Sequence, residues 1–582
     1  MFLGANVNAQ TTFTSGNLVV NMATSTTTSV SSAAGIRFLE LNKTSAAQTP
    51  IQNLLADTNT NGLGPADYFR IQGTATSAGY LSFNNDRTLL SMAGVNTSLT
   101  SGAITSINPR VVLTLNNAGT MQFATTYTNA AANTPRSASS LNNIDWYPND
   151  ANGIYTNGAS LPVLTANIRA IKPFGGTLYA SQALSTAANI STLNGPIPSA
   201  LTPLPGLPLG ATNFCDFFLV SSGQNGAAFD ILYMTFASTA SSGSIQKYSL
   251  VNGSWLSNGT YATSFGGFGI AAERTCANAA NLFVTSGTGA TSANSVYRLT
   301  DNSGYNQTIN ISTANNVVLY TATAGNTIKG VAFAPKPACN PASSALLSVN
   351  GFSTICQGNT TTLQVNITGG VSPYTVVYTD GINCNTVTGY LSGSTIQVNP
   401  SNTTTYTLLS VTGANGCEAN GVGGSATITV NPTSISSVTL NASPSAPVCA
   451  GSPITYTATA TGTGLTPTYT FYVNNVAVQT GASNTFTYAS PVNNAQVYCT
   501  MTSSDNCALP LTASSGVQFA IVNPIPTPQA STGLTTICFG QTANLLATGA
   551  SLLVWQPGNL NGPSVNVTPS VGVTTYTITA VG

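Results

Sequence analysis

Short apolar runs recur along this chain about every fifty residues, and a period of that length constrains the fold more than any other feature. Thr177-Leu178-Tyr179-Ala180-Ser181, Ile231-Leu232-Tyr233-Met234-Thr235 and Asn281-Leu282-Phe283-Val284-Thr285 set Leu178, Leu232 and Leu282 54 and 50 residues apart. A second series follows 51 residues apart, Ile245-Gln246-Lys247-Tyr248-Ser249-Leu250 and Val296-Tyr297-Arg298-Leu299-Thr300. Its basic residues, Lys247 and Arg298, share one register of what reads as a half-exposed strand. Four-stranded blades of a β-propeller explain the period better than one sandwich does. Residues 11–338 then hold about seven blades. Leu18-Val19-Val20-Asn21-Met22 is expected to pair with Gly330-Val331-Ala332-Phe333-Ala334, closing the ring and protecting edge strands.

The period changes after Ala334-Pro335-Lys336-Pro337-Ala338-Cys339-Asn340-Pro341, a proline-rich stretch that breaks any strand ladder. Thr354-Ile355-Cys356-Gln357-Gly358, Pro447-Val448-Cys449-Ala450-Gly451 and Thr536-Ile537-Cys538-Phe539-Gly540 start three modules, their cysteines 93 and 89 residues apart. The first two modules end alike, in Ile428-Thr429-Val430-Asn431-Pro432 and Ala520-Ile521-Val522-Asn523-Pro524. Module length and strand alternation predict immunoglobulin-like sandwiches over 339–432, 433–525 and 526–582, the last incomplete. An all-β chain results. Trp555, in Leu552-Leu553-Val554-Trp555, stands where such a sandwich buries its third-strand tryptophan. Trp146 with Tyr147, and Trp255, could stack on sugars from loops, but core packing is the preferred reading.

Charge is scarce: 4% of residues, with thirteen basic and thirteen acidic groups cancelling, against roughly a quarter in ordinary soluble domains. Solubility therefore comes from hydroxyls and amides. Lys336 is the last basic residue, and only Asp380, Glu418 and Asp505 carry charge beyond it. Phosphate recognition needs clustered Lys and Arg, so nucleic acid is excluded as a partner, as is an anionic membrane surface. No apolar run reaches the ~18 residues of a transmembrane helix. A near-zero net charge favours association between copies.

Histidine is absent, which removes Ser-His-Asp and Cys-His nucleophiles, the usual zinc sites and imidazole acid-base chemistry. The scattered acids form no glycosidase-type pair. Neither an enzyme nor a cofactor is expected. Ten cysteines without a C-x-x-C pair read as disulfides formed outside the cytoplasm. Internal alignment makes Cys417 and Cys507 equivalent and proposes Cys356 with Cys417 and Cys449 with Cys507; Cys215 with Cys276 is a separate candidate within the propeller. It leaves Cys339, Cys384, Cys499 and Cys538 without partners. Met1-Phe2-Leu3-Gly4-Ala5-Asn6-Val7-Asn8-Ala9-Gln10 reads as the remnant of an export signal.

Asp57-Thr58-Asn59-Thr60-Asn61-Gly62 opens like a calcium loop, with Asp57, Asn59 and Asn61 as candidate ligands. The closing Glu is missing, since Tyr68 stands there. A polar inter-strand turn is the competing and preferred reading.

The chain resembles large secreted surface proteins of Bacteroidota, exported by type IX secretion, that join a propeller to serial immunoglobulin-like or PKD-like repeats. In the first region the resemblance rests on Gly79-Tyr80-Leu81-Ser82-Phe83-Asn84-Asn85-Asp86-Arg87-Thr88-Leu89-Leu90, Gln246-Lys247-Tyr248-Ser249-Leu250 and Gly330-Val331-Ala332-Phe333-Ala334-Pro335. In the modules it rests on Val448-Cys449-Ala450-Gly451 and Cys499-Thr500-Met501-Thr502-Ser503-Ser504-Asp505-Asn506-Cys507. Thr368-Gly369-Gly370-Val371-Ser372-Pro373-Tyr374 is similar to repeats of gliding-motility adhesins. Extracellular placement is thereby implied. The expectation is a non-enzymatic structural protein whose copies self-associate into a filament, sheath or surface layer. The alternative is an adhesin with a propeller head for surface glycan or protein on an immunoglobulin-like stalk.

Overall fold

A computed structural model describes the chain except residues 1–11, 26–31, 183–185, 187–188, 196, 211–212, 226–228 and 581–582. The proposed export-signal remnant lies outside the described residues. Every regular element among them is a strand, apart from one 3-10 turn at Thr313–Asn315. The chain is all-β, in two compact units, 1–430 and 431–582.

In the first unit, four sheets are simple meanders of four strands that neighbour one another in chain order. They span Ser137–Ser140 to Leu164–Thr165, Ile168–Phe174 to Leu201–Pro203, Phe214–Val220 to Ser254–Thr263, and Ile270–Arg274 to Val317–Thr321. Burial falls across each meander. In the third, every residue of Phe214–Val220 is buried, whereas the last strand, Ser254–Thr263, alternates between buried and exposed. The opening strand of each sheet contacts that of the next, from Ser137–Ser140 through Ile168–Phe174 and Phe214–Val220 to Ile270–Arg274. Ile270–Arg274 in turn contacts Thr327–Phe333. Large apolar side chains such as Phe217, Leu232, Phe268 and Leu282 pack in the shared core.

A nine-stranded sheet joins the two ends of this region. Leu18 pairs with Phe333, Val19 with Ala332 and Val20 with Val331, antiparallel, so the expected pairing of Leu18–Met22 with Gly330–Ala334 is present. The expected count of about seven four-stranded units is not: the described residues hold four such sheets and the nine-stranded one. Strands as short as Ser82–Phe83, Gly153–Ile154 and Leu164–Thr165 leave no period to read.

Residues 342–431 form two further sheets, one of four strands and one of five. Leu347, Leu363, Val365, Val376, Leu408 and Ile428 fill the space between them. This pair of sheets is fastened to the preceding region by disulfides Cys276–Cys384 and Cys339–Cys417 and by an ion pair of Lys336 with Glu418 at 2.8 Å. Arg274 adds hydrogen bonds to Thr407 Oγ1 and the Leu408 carbonyl.

In the second unit, Ser437–Ser443, Ile454–Thr461 and Thr485–Tyr488 form one sheet, and Val476–Gly481 is an edge of a second. Tyr456, Phe471, Val497 and Met501 pack between strands of these sheets. A separate cluster after residue 528 is built on Leu545, Leu553 and Trp555. Trp555 is 1% exposed and donates from its indole nitrogen to the Gly562 carbonyl at 3.1 Å. Its expected burial holds. Trp146 and Trp255 are buried as well, which leaves no exposed indole to stack on a sugar.

The three expected disulfide pairings are corrected. Cys276 pairs with Cys384 and Cys417 with Cys339, while Cys215 is a buried thiol and Cys449 an exposed one. Cys356 and Cys507 are disulfide-bonded, and Cys499 and Cys538 are free. Strand geometry gives the reason. The Ile270 amide donates to Asp216 Oδ2 at 3.1 Å, which sets Cys215 level with the start of strand Ile270–Arg274. Cys276 lies beyond the strand's far end, roughly 15–20 Å on at the usual rise, well past the ~7 Å Cα limit of a disulfide. Cys417 and Cys507 do occupy matching places, each beside the beginning of its sandwich's first strand: Asn420 N donates to Ala342 O, and Ser434 N to Cys507 O. Cys356 and Cys449 follow the far ends of Ala342–Val349 and Ser437–Ser443, a strand length away.

Candidate functional site

Three buried ion pairs stitch successive sheets of the first region together. Arg110 of the nine-stranded sheet meets Asp150 beside the next sheet at 2.5 Å. Lys172 meets Asp216 one sheet on, at 2.7 Å, and Lys247 meets Asp301 one sheet further, at 2.9 Å. Lys247 was expected on a half-exposed strand. It is 0% exposed, because the neighbouring sheet supplies its counter-charge and the Ser303 and Gly304 carbonyls accept its remaining protons. Buried charge needs such pairing. Asp301 also accepts from the Tyr233 hydroxyl at 2.8 Å, and burial, reinforced by that carboxylate, pushes the Tyr233 pKa well up.

Lys329 breaks the pattern. It is 0% exposed, and its ammonium donates to three carbonyls, those of Gly73 and Ala75 at 2.8 Å and that of Gly289. No carboxylate pairs with it among the described residues. Burial pushes its pKa down to about 7. The folded pKa thus lies below that of the unfolded chain, so between about pH 7 and the ordinary lysine range the unfolded state binds the additional proton. Stability consequently rises with pH across that window and is lowest below about pH 7. Full development is worth roughly 5 kcal/mol, most of it between pH 6 and pH 10. Urea unfolding at pH 6 and pH 10 should show this gain in the wild type and lose most of it in Lys329→Met; an equal gain in the variant would refute the assignment.

A third group of cations sits nearby. Tyr80 stacks on Phe268 with ring centroids 4.8 Å apart, and Phe268 lies 6.0 Å from the Lys329 ammonium. The Tyr80 hydroxyl accepts a long hydrogen bond from Arg169 Nη1 at 3.4 Å. Burial raises the Tyr80 pKa to about 12, against the pull of Arg169, so it is neutral at physiological pH. Burial likewise raises the Cys215 thiol to about 11, which makes it no thiolate nucleophile. Arg136 donates to Asn167 Oδ1 at 2.5 Å and to the Ile168 carbonyl at 2.6 Å, while its Nε is buried with no hydrogen-bond partner. Asn167 lines an open cleft of about 350 Å³ together with Ala151, Asn152, Pro162, Thr165 and Ala166. Its lining is amide, hydroxyl and short apolar groups, suited to hydrogen-bonding a polar ligand and bearing no group that could act as an acid, base or nucleophile.

None of these arginines stood out in the sequence. The available signal was an isolated cation inside an apolar run, as in Ile168-Arg169-Ala170-Ile171-Lys172. In a chain this poor in charge, such a residue marks a buried or functional group.

The calcium candidates are brought together in a turn but committed elsewhere. Asp57 Oδ2 pairs with Arg70 at 2.9 Å, and its Oδ1 accepts from the Thr58 amide at 2.8 Å. Asn61 donates to the Leu55 carbonyl at 2.9 Å. Asn59, Asn61 and Gly62 all take positive φ, which their residue types tolerate. A guanidinium thus satisfies the carboxylate, and the segment is the polar turn. No cluster of metal-ligating side chains occurs among the described residues.

No protein family and no curated protein matches the chain. Among solved structures, a putative 6-phosphogluconolactonase from Bacteroides uniformis is 13% identical, covering 55% of this chain and 99% of its own, with a TM-score of 0.28. The fibronectin(III)-like modules of Clostridium thermocellum CbhA are 13% identical over 30% of this chain and 94% of theirs, with a TM-score of 0.19. Three N-terminal domains of the bacteriophage RB49 outer capsid protein Hoc are 12% identical over 38% of this chain and 79% of theirs, with a TM-score of 0.17. Likenesses this remote carry no argument about function.

Proposed function

We propose that this is a non-enzymatic extracellular structural protein whose copies associate through uncharged β surfaces, with a propeller formed by the first region's sheets and immunoglobulin-like sandwiches after it. The observation that carries the reading is an unguarded sheet edge. Strand Val476–Gly481 ends its sheet, pairing on one side with Thr468–Val473, and Val476 and Val478 on it are 64% and 46% exposed. Edge strands ordinarily carry charge, above all lysine, to prevent pairing between molecules. Residues 431–582 contain one charged side chain, Asp505, so nothing repels a second copy of the same edge.

Extracellular placement is supported by six disulfide-bonded cysteines.

Electron microscopy of the purified chain should show regular polymers. Because the contact is uncharged, they should persist at 1 M salt, where the screening length falls to ~3 Å. Val478→Lys, a change at an exposed site that leaves the fold intact, should disperse them. Isolated particles at all concentrations would overturn the reading and favour the adhesin.

A further inference from the structure

We propose that the outward face of the sheet made by Ser437–Ser443, Ile454–Thr461 and Thr485–Tyr488 is a binding surface for crystalline ice. The inference goes beyond self-association, which rests on the edge of a different sheet, at Val476–Gly481.

Alternation in the sequence builds the face. Thr455-Tyr456-Thr457-Ala458-Thr459-Ala460-Thr461 sets threonine at every second position, and successive residues of a strand point to opposite sides of the sheet. Val438, Leu440, Ile454, Tyr456 and Ala458 turn into the core. Every outward position across the three strands is then threonine or serine, except Asn441. The register sets these groups in rows: Thr439 lies beside Thr459, and Asn441, Thr457 and Thr485 lie side by side. Composition alone does not deliver such a face. The corresponding sheet of residues 342–431 carries Leu346, 45% exposed, and Gln364 on its outward side, and Leu546 stands outward on Ala543–Thr548.

Spacing comes next. Neighbouring strands lie about 4.8 Å apart and alternate residues of one strand about 6.7 Å apart, so the hydroxyls form a two-dimensional lattice. Those repeats lie close to the oxygen spacings of hexagonal ice along its a and c axes. With three strands, twist accumulates over two steps only, which holds the lattice near one plane.

Rigidity and hydration complete the match. Threonine is stiff about χ1, so the array orders at little entropic cost. Hydroxyl bonds between strands, Ser437 with Thr461 at 2.8 Å and Thr455 with Thr487 at 3.1 Å, hold it further. A hydroxyl donates once and accepts twice, so the bonded members keep capacity for water. A charged side chain would organise water around itself. None stands on these three strands, and Asp505 is the only one in residues 431–582. A fixed, uncharged and repeating set of donors and acceptors meets the solid at many points at once, whereas it meets the liquid at each point separately.

The test is ice growth in the presence of the full chain, read as recrystallisation in a frozen film and as the gap between melting and freezing of a single crystal. The wild type should suppress recrystallisation and open a gap. Thr457→Tyr raises a ring from the middle of the array while keeping a good strand former, and should increase the concentration required at least tenfold with an unchanged urea midpoint. Thr459→Lys, at an exposed position of the same strand, is the second variant and should lose as much. Leu346→Tyr, on the outward face of the other sandwich, should match the wild type. No suppression by the wild type, full activity in both face variants, or an equal loss in Leu346→Tyr overturns the proposal.

Discussion

Asp301→Asn should destabilise the first region by about 3–5 kcal/mol, the usual consequence of leaving one member of a buried ion pair uncompensated. Asp301 is 0% exposed and accepts from five donors on four residues: Lys247 at 2.9 Å, the Tyr233 hydroxyl at 2.8 Å, Ser303 through its amide and hydroxyl, and the Asn310 amide at 2.8 Å. The amide of asparagine turns a donor toward Lys247 and Tyr233, which are donors themselves. Lys247→Met alone should cost less, because Asp301 keeps its other donors. The double variant should recover part of the loss, giving a coupling well outside the error of the additive sum. Urea unfolding followed by Trp255 fluorescence reads all three, since Trp255 pairs with Leu250 on the strand that carries Lys247. A loss under 1 kcal/mol for Asp301→Asn would show that the pair does not hold the sheets together.

The second large effect concerns the staple between the first region and the sandwich at 342–431. Cys276→Ser with Cys384→Ser opens a closed loop of 108 residues, worth about 5 kcal/mol in the chain-entropy view. The remaining fastenings are Cys339–Cys417, the Lys336–Glu418 pair and hydrogen bonds from Arg274 and Thr379. The variant's sandwich should therefore open separately, with faster hydrogen exchange across Thr361–Gly369 while Phe214–Val220 stays protected. Unchanged exchange in both strands would mean that the non-covalent contacts suffice.

The sequence revealed the parts of this fold that depend on local alternation. Leu18–Met22 and Gly330–Ala334 could be matched because both are short and mostly apolar, and the structure pairs them. Trp555 was placed in a core because it stands where an immunoglobulin-like sandwich buries its third-strand tryptophan, and it packs there. Cysteine equivalence was also legible, as Cys417 and Cys507 show. Their partners were not, because repeat alignment reports order along the chain and is blind to which end of a strand a residue occupies. Lys247 was misplaced for a related reason: a strand pattern records its own faces but not the Asp301 that the next sheet brings against it. The contact of Arg136 with Asn167 and Ile168 was invisible, being assembled from neighbouring sheets with no motif of its own.

The pairing of Leu18–Thr24 with Thr327–Phe333 has a consequence for the history of the molecule as well as its shape. The first strand finds its partner only after some three hundred further residues have been made. Until then it is a bare apolar ribbon with one side unmet, and contacts of such long sequence separation form slowly. A chain stopped anywhere before Phe333 cannot close this seam. The N-terminal region therefore completes its fold only as a whole, and until its last strand is made Leu18–Thr24 keeps one backbone edge unpaired.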